Sequence, residues 1–236
     1  RQEYSVSRSK VETNVNVASL RRTEYNNPLL YAAYTESDDF LPVDNAVIKK
    51  VCRQIIGSET NPYNKARRIY TFLTSEIKAR ESSAADAGRS ILTALEEKSG
   101  SAYDLALLFC TLARAAGVPA IPTAGLLVGA EQKAVLHWWA EFYINGFGWV
   151  PADPALASGV PLDTGIADKG RWYFGNLDAY HIAFSRGYQT QAPLLPNGKT
   201  TEKARSYAFR SIWEEATPNI SGYSALWRIP KITGVY

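Results

Sequence analysis

Residues 98–120 read "KSGSAYDLALLFCTLARAAGVPA", and the fold turns on how that stretch is understood. Ser101-Ala102-Tyr103-Asp104 has the capping-box pattern, a serine followed three places on by an acidic residue at the head of an apolar run. It predicts a long helix that begins at Ala102 and stops at Gly117 and Pro119. The first turn of such a helix leaves backbone N–H groups unpaired, and the helix dipole adds positive charge there. A cysteine at that first position would have a stabilised thiolate, and the same N–H groups could hold the oxyanion of an acyl-transfer intermediate. The position holds alanine. Taken alone, the segment reads as a structural helix, because capping boxes begin many of them.

Upstream, the apolar period is helical. In "LPVDNAVIKKVCRQIIG" (41–57), Asp44 serves as N-cap, Val47, Ile48, Val51, Ile55 and Ile56 share a face, and Gly57 ends the run. Pro62 opens a second helix in "NPYNKARRIYTFLTSEIKAR" (61–80), with Ala66, Ile69, Tyr70, Leu73 and Ile77 on one side. "ESSAADAGR" is a small-residue loop and "SILTALEEK" a short helix. Residues 1–27 are polar with brief alternations, an extended arm or the end of a preceding β domain.

Downstream, the period changes to two. "VPAIPTAGLLV", "VLHWWAEFYI" and "GWVPADPAL" read as strands, with turns at Gly129 and around Asn145-Gly146-Phe147-Gly148. The last third is mixed: "RWYFGNLDAYHIAFSRGYQ" reads as loop plus strand and "TEKARSYAFRSIWEEA" as a helix. Helices followed by antiparallel strands give an α+β class. The expected division is an arm or preceding β end at 1–40, a core at 41–190, and a C-terminal extension packed on it at 191–236.

Composition sets outer bounds. A chain of 236 residues with 46% hydrophobic and 21% charged residues can bury one globular core with elaborations. A net charge of +3, with basic residues scattered, gives no nucleic-acid footprint. No apolar run reaches the length of a membrane-spanning helix, and no signal-peptide pattern is present. The chain has no methionine, so it is read as starting after an upstream segment and as part of a longer polypeptide. Cys52 and Cys110 sit in helical apolar patterns and are expected as buried thiols, too few for a disulfide framework.

The stretch "VLHWWAEFYINGFGWVPADPAL" adds chemistry. Alternation sets Val135, His137, Trp139, Glu141 and Tyr143 on one face and Leu136, Trp138, Ala140, Phe142 and Ile144 on the other. Loop length then decides whether Asp153 can meet His137. A four-residue loop would put Asp153 opposite Ala140, on the wrong face. A three-residue loop, Asn145 to Phe147, pairs Asp153 with Trp139, diagonal to His137 and within reach of it. The three-residue loop is the expectation.

Together these motifs resemble the transglutaminase-like superfamily, the papain-like cysteine enzymes that include proteases and protein cross-linkers. Gly100, Ala102, Asp104, Ala106, Leu108, Arg114, Ala115, Gly117, Val118, Pro119 and Ala120 fall in the register of the family's nucleophile helix. His137, Trp139 and Glu141 match its His-x-Trp-x-Glu strand, and Gly148, Trp149, Val150, Asp153 and Pro154 match its aspartate segment. "YFGNLDAYHIAFSRG" is similar to a stretch that follows this core in bacterial members. The departures are Ala155, where the family prefers threonine, and Ala102, where it requires cysteine.

The resemblance implies a papain-like, transglutaminase-core fold with helices packed on an antiparallel sheet. It implies a catalytic set at position 102, His137 and Asp153, in which a cysteine attacks a carboxamide or peptide carbonyl. The histidine takes and returns the proton and the aspartate orients it, with water or an amine resolving the acyl-enzyme. It further implies a peptide or protein partner and a bacterial periplasmic, cell-surface or secreted location. No cofactor is expected, and no calcium-loop motif is seen, so no metal is expected either. Ser101, Tyr103, Trp138, Trp139 and Trp172 are the candidate cleft residues.

A methyl group cannot attack a carbonyl, so the chain as written is expected to be inert in covalent acyl transfer. Ser101 is engaged as a cap, and Cys110 lies about 12 Å along the helix axis in an apolar run. Two readings follow: an acyl-transfer domain of protease, amidase or transamidase type with its nucleophile replaced, or a natural pseudoenzyme binding a peptide or glycan within a larger envelope protein. Asp38, Asp39, Asp163 and Asp168 read as loop charges, and His181 and Arg186 as core or surface residues, with a place on the far side of the site as the alternative.

Overall fold

Ser101 caps the central helix as its residue types require. Its hydroxyl accepts from the Asp104 N–H at 3.4 Å, and Asp104 Oδ2 accepts from the Ser101 N–H at 2.8 Å. In the computed structural model, residues 3–20, 27–81, 89–129, 133–187, 195, 199–202, 213–222 and 231–234 are described.

The first half holds β1 (Val11–Glu12), α1 (Pro28–Thr35), α2 (Ala46–Ile56), α3 (Pro62–Glu76), β2 (Lys78–Ala79), α4 (Ile91–Glu97), β3 (Ser99–Gly100) and α5 (Ala102–Ala115). The second half holds β4 (Ala120–Val128), β5 (Ala134–Ile144), β6 (Gly148–Ala152), α6 (Pro154–Ala157) and α7 (Lys169–Trp172). It ends with β7 (Asn176–Leu177), β8 (His181–Arg186), β9 (Lys199–Glu202) and β10 (Trp213–Ala216). The order of helices then antiparallel strands is the α+β arrangement expected.

Residues 102–114 of α5 are all buried. A helix that is apolar on every side must be surrounded, and α2, α3, α4 and α6 pack around it on one side while β4 and β5 cover the other. The main sheet has the order β6-β5-β4-β8, antiparallel throughout. Trp138, Ala140, Phe142 and Ile144, the even face of β5, meet α5 through contacts such as Phe109–Phe142 and Tyr103–Trp138. Arg114, buried in the last turn of α5, donates from Nε to the Ala120 carbonyl and from Nη1 to the Glu36 carbonyl, each at 2.9 Å. It thereby ties the helix to β4 and to the chain leaving α1.

The structure corrects several expectations. Pro28–Thr35, beyond the stretch read as extended, is helical, with Asn27 capping it through Leu30 N and Pro28 supplying the fixed first turn. The cap of α2 is Asn45 rather than Asp44, with Asn45 Oδ1 accepting from Val47 N. Within "TEKARSYAFRSIWEEA", Thr201–Glu202 and Trp213–Ala216 are strand residues of an antiparallel pair rather than helix, and the stretch between them lies outside the described residues. Pairing across the chain outweighs the weak helical spacing read there. Residues 11 and 12 of the arm pair with β7, so this segment lies against the core. Cys52 and Cys110 are free and buried, as expected.

Candidate active site

Two elements deliver the expected residues. At the head of α5, Ala102 is the first helical residue and is 6% exposed. The next residue, Tyr103, meets Trp138 edge to face with ring centroids 5.7 Å apart. Trp138 is the neighbour of His137 on β5, so the positive end of α5 is seated against the strand that carries the histidine.

The hairpin decides where Asp153 goes. Ile144 pairs with Gly148 and Ala140 with Ala152, leaving a three-residue loop, Asn145 to Phe147. Gly146 and Gly148 adopt φ of +78° and +111°, conformations that a side chain would strain. The register carries Asp153 past Ala152, level with Trp139 and diagonal to His137. His137 Nε2 and Asp153 Oδ2 lie 2.5 Å apart, both side chains buried.

Asp153 is held from its other oxygen too. As the N-cap of α6, its Oδ1 accepts from the N–H groups of Ala155 and Leu156, each at 3.0 Å. Its own N–H donates to the Tyr173 carbonyl at 2.9 Å, and Ala152 bridges to Phe174. These bonds fasten the segment after α7 to the end of β6 and bring in a residue that the sequence reading had left in the core or surface class.

That residue is His181. Its Nε2 stands 3.1 Å from Asp153 Oδ2, and its Nδ1 stands 2.9 Å from Asp178 Oδ1. Asp178 also accepts from Tyr173 Oη at 2.5 Å and from Tyr180 N at 2.8 Å. The His181 ring packs edge to face on Trp139, 5.0 Å between centroids, and 5.7 Å from the His137 ring. The available sequence signals were slight: the chain has two histidines, and Asp178 precedes one of them by three places in a short strand.

Charge follows from this geometry. Burial would raise the Asp153 carboxyl, yet the charge and hydrogen bonds of His137 and His181 outweigh it and hold the group well below the usual carboxylate range. Burial likewise disfavours a charged His181, but its hydrogen bonds to Asp153 and Asp178 and their charges push it up to about 9. Asp178 is lowered, with burial opposed by His181, Tyr173 and the Tyr180 N–H.

The remaining cleft residues divide. Ser101, Tyr103 and Trp138 are buried around the α5–β5 contact, and Trp139 is buried on the other face of β5 against His137 and His181. Trp138 Nε1 is buried with no hydrogen-bond partner among the described residues. Trp172 lines a separate cavity of about 860 Å³ with Arg67, Tyr70, Asp168 and Phe174, in which neither Ala102 nor His137 takes part. The donor atoms of His137, Asp153 and His181 lie within 4.8 Å of one another, a composition known from metal centres. Here they satisfy each other, because both imidazoles spend Nε2 on the same carboxylate oxygen. Arg186 donates to Glu141 Oε2 at 2.6 Å on the half-exposed rim.

Comparison with known proteins gives a family match over part of the chain. Residues 49–154 match the family model described as the transglutaminase-like superfamily. An uncharacterized protein of Haemophilus influenzae is 31% identical over 173 residues, which is 60% of this chain and 46% of that protein. The chain thus spans less than half the length of that curated relative. Among solved structures, a candidate cysteine protease of Cytophaga hutchinsonii aligns over 94% of this chain and 67% of its own, with 15% identity and a TM-score of 0.49. The periplasmic domain of TgpA from Pseudomonas aeruginosa aligns over 54% of this chain and 47% of its own, with 19% identity and a TM-score of 0.42. Likeness at these scores assigns no function. Among the described residues, no helix is long and apolar enough to cross a membrane.

Proposed function

From the premise that residues 49–154 form a transglutaminase-like domain of mixed helices and antiparallel sheet, we propose that the chain is a cysteine acyl-transfer fold with its nucleophile replaced by alanine. In this reading it engages a peptide or protein carboxamide without forming an acyl-enzyme. One observation carries this: Ala102 heads the buried helix α5, next to the strand whose His137 is bonded to Asp153.

In a cysteine-bearing site of this form, the thiolate at position 102 would attack the carbonyl and His137 would carry the proton to the leaving group. Asp153 would keep the imidazole in the tautomer with its Nε2 proton turned toward the carboxylate. Loss of a triad nucleophile removes about six orders of magnitude in turnover. The neighbours do not replace it. Ser101 Oγ is tied to Asp104, accepting from its N–H and donating to Oδ2 at 3.0 Å. Cys110 is fully buried, and burial pushes its thiol far up. What the site retains is recognition. The buried Trp138 N–H has no acceptor among the described residues, and a ligand carbonyl would satisfy it. A ligand would have to move the cover formed by Tyr103 and Trp138 to reach it.

The test is Ala102→Cys. Under this reading the new thiol is alkylated by iodoacetamide well below the pH at which free cysteine reacts, and peptide amides become substrates. A thiol that titrates like free cysteine would remove the reading. The division at residues 40 and 190, membership of a longer polypeptide and an envelope location belong to the same proposal. Limited proteolysis and cell fractionation of the native protein test them.

A further inference from the structure

The Asp153 carboxylate has room for four hydrogen bonds, two at each oxygen, and all four are filled. Oδ1 takes the N–H groups of Ala155 and Leu156, and Oδ2 takes His137 and His181. A triad needs one imidazole on its carboxylate; this site has two, and they are not equivalent. His181 has a carboxylate at each ring nitrogen, Asp153 at Nε2 and Asp178 at Nδ1. An imidazole facing two carboxylate oxygens through both nitrogens can satisfy both only as the doubly protonated cation. Tyr173 Oη and Tyr180 N hold Asp178 in place behind it.

We propose that His181 is a positioning residue of this site: an imidazolium gripped by Asp178, it gives the buried Asp153 carboxylate a standing counter-charge and fixes the rotamer that steers His137. A carboxylate buried away from water must be compensated. In a site with only His137, compensation would vary with that ring's own proton. His181, held by Asp178 on its far nitrogen, adds a second ring to that compensation, so the ionised Asp153 carboxylate does not depend on His137 alone. The inference rests on the reading above in taking His137 as the proton carrier.

The other titratable groups around the row are few among the described residues. The Tyr70 hydroxyl, on α3, is raised by burial and by the charge of Asp153, and so is neutral. Tyr173 is raised by burial and by its bond to Asp178. Asp168 caps α7 through Arg171 N, and Glu141, on the same face of β5 as His137, is bonded to Arg186.

The chain's two histidines make the test direct, since one substitution assigns both rings in a nitrogen-resolved NMR spectrum of the 236-residue chain. His181 is expected to stay protonated up to about pH 9, and Asp178→Asn to lower that midpoint by a unit or more. His181→Gln keeps an N–H on Asp153 and should preserve the His137 Nε2–H signal. His181→Phe should broaden or abolish it. A His181 midpoint near the ordinary 6.5 would overturn the proposal. So would an unchanged His137 spectrum in a folded His181→Phe chain. If the phenylalanine variant fails to fold, the Asp178→Asn midpoint decides. Every measurement is made with Ala102 in place, so an unreactive Ala102→Cys thiol would defeat the acyl-transfer reading and leave this one standing.

Discussion

A β-carbon built on Gly125 would lie 1.8 Å from the carbonyl oxygen of Ile182. Gly125 is the residue opposite His137 on β4, and it faces Ala183 of β8 on its other side, where the register shifts between Ala124 and Gly125. A glycine inside a strand often marks such a close approach of backbones. Here it lets β8 come near enough to carry His181 to Asp153.

Gly125→Ala should therefore force β8 outward and cost about 1–3 kcal/mol, the usual range for overpacking a closed interior. Urea denaturation gives the number, and the His181 resonance should shift in the same variant. An unchanged midpoint would show that β8 can yield without loss.

Stability should depend on pH in a defined way. The His181 pKa is raised on folding from 6.5 to about 9, so its contribution is complete below about 6.5 and is lost as pH rises through 9. Asp153 and Asp178 are lowered on folding from 3.8, so their contributions are present above about 4 and are lost as pH falls. Denaturation midpoints measured across this range should peak between those limits. In His181→Gln the alkaline decline should flatten, whereas an equal decline in both chains would assign it to other groups.

Arg114→Ala should destabilise by about 1–3 kcal/mol, because it leaves the buried Ala120 carbonyl without its donor and releases the Glu36 carbonyl as well. Arg114→Lys should recover little, since one ammonium lacks the planar fork that spans both acceptors. Thermal or urea unfolding of the two variants checks this.

Burial raises the thiols of both Cys52 and Cys110. Neither should react with a disulfide reagent until the chain is denatured. Titration of native Ala102→Cys should then find one fast thiol, and titration in denaturant three. Reaction of the native unmodified chain would mean that α5 opens more readily than its packing suggests.

How much of this was legible beforehand varies along the chain. The capping box, the α3 face and the three-residue loop are local statements, each settled by residue types a few positions apart, and the structure has them; on α2 the reading fails at Val47, which is exposed while Ile48 and Cys52 are buried. The one-place difference at Asn45 follows from two good capping residues standing side by side. Helix α1 was missed because its start signal, Asn27-Pro28, heads a segment with no buried face. His181 was underrated for a different reason. Its place depends on β8 crossing to pair with β4, and on Asp153 meeting a residue far along the chain. No period in the sequence encodes that meeting.

Asp153 joins two tasks in one side chain: one oxygen orders the start of α6 while the other receives the imidazoles. The short helix and the polar centre should consequently come apart together. Slow solvent exchange at the amides of Ala155 and Leu156 would then be a built-in gauge of whether that centre is assembled, readable without ligand or turnover.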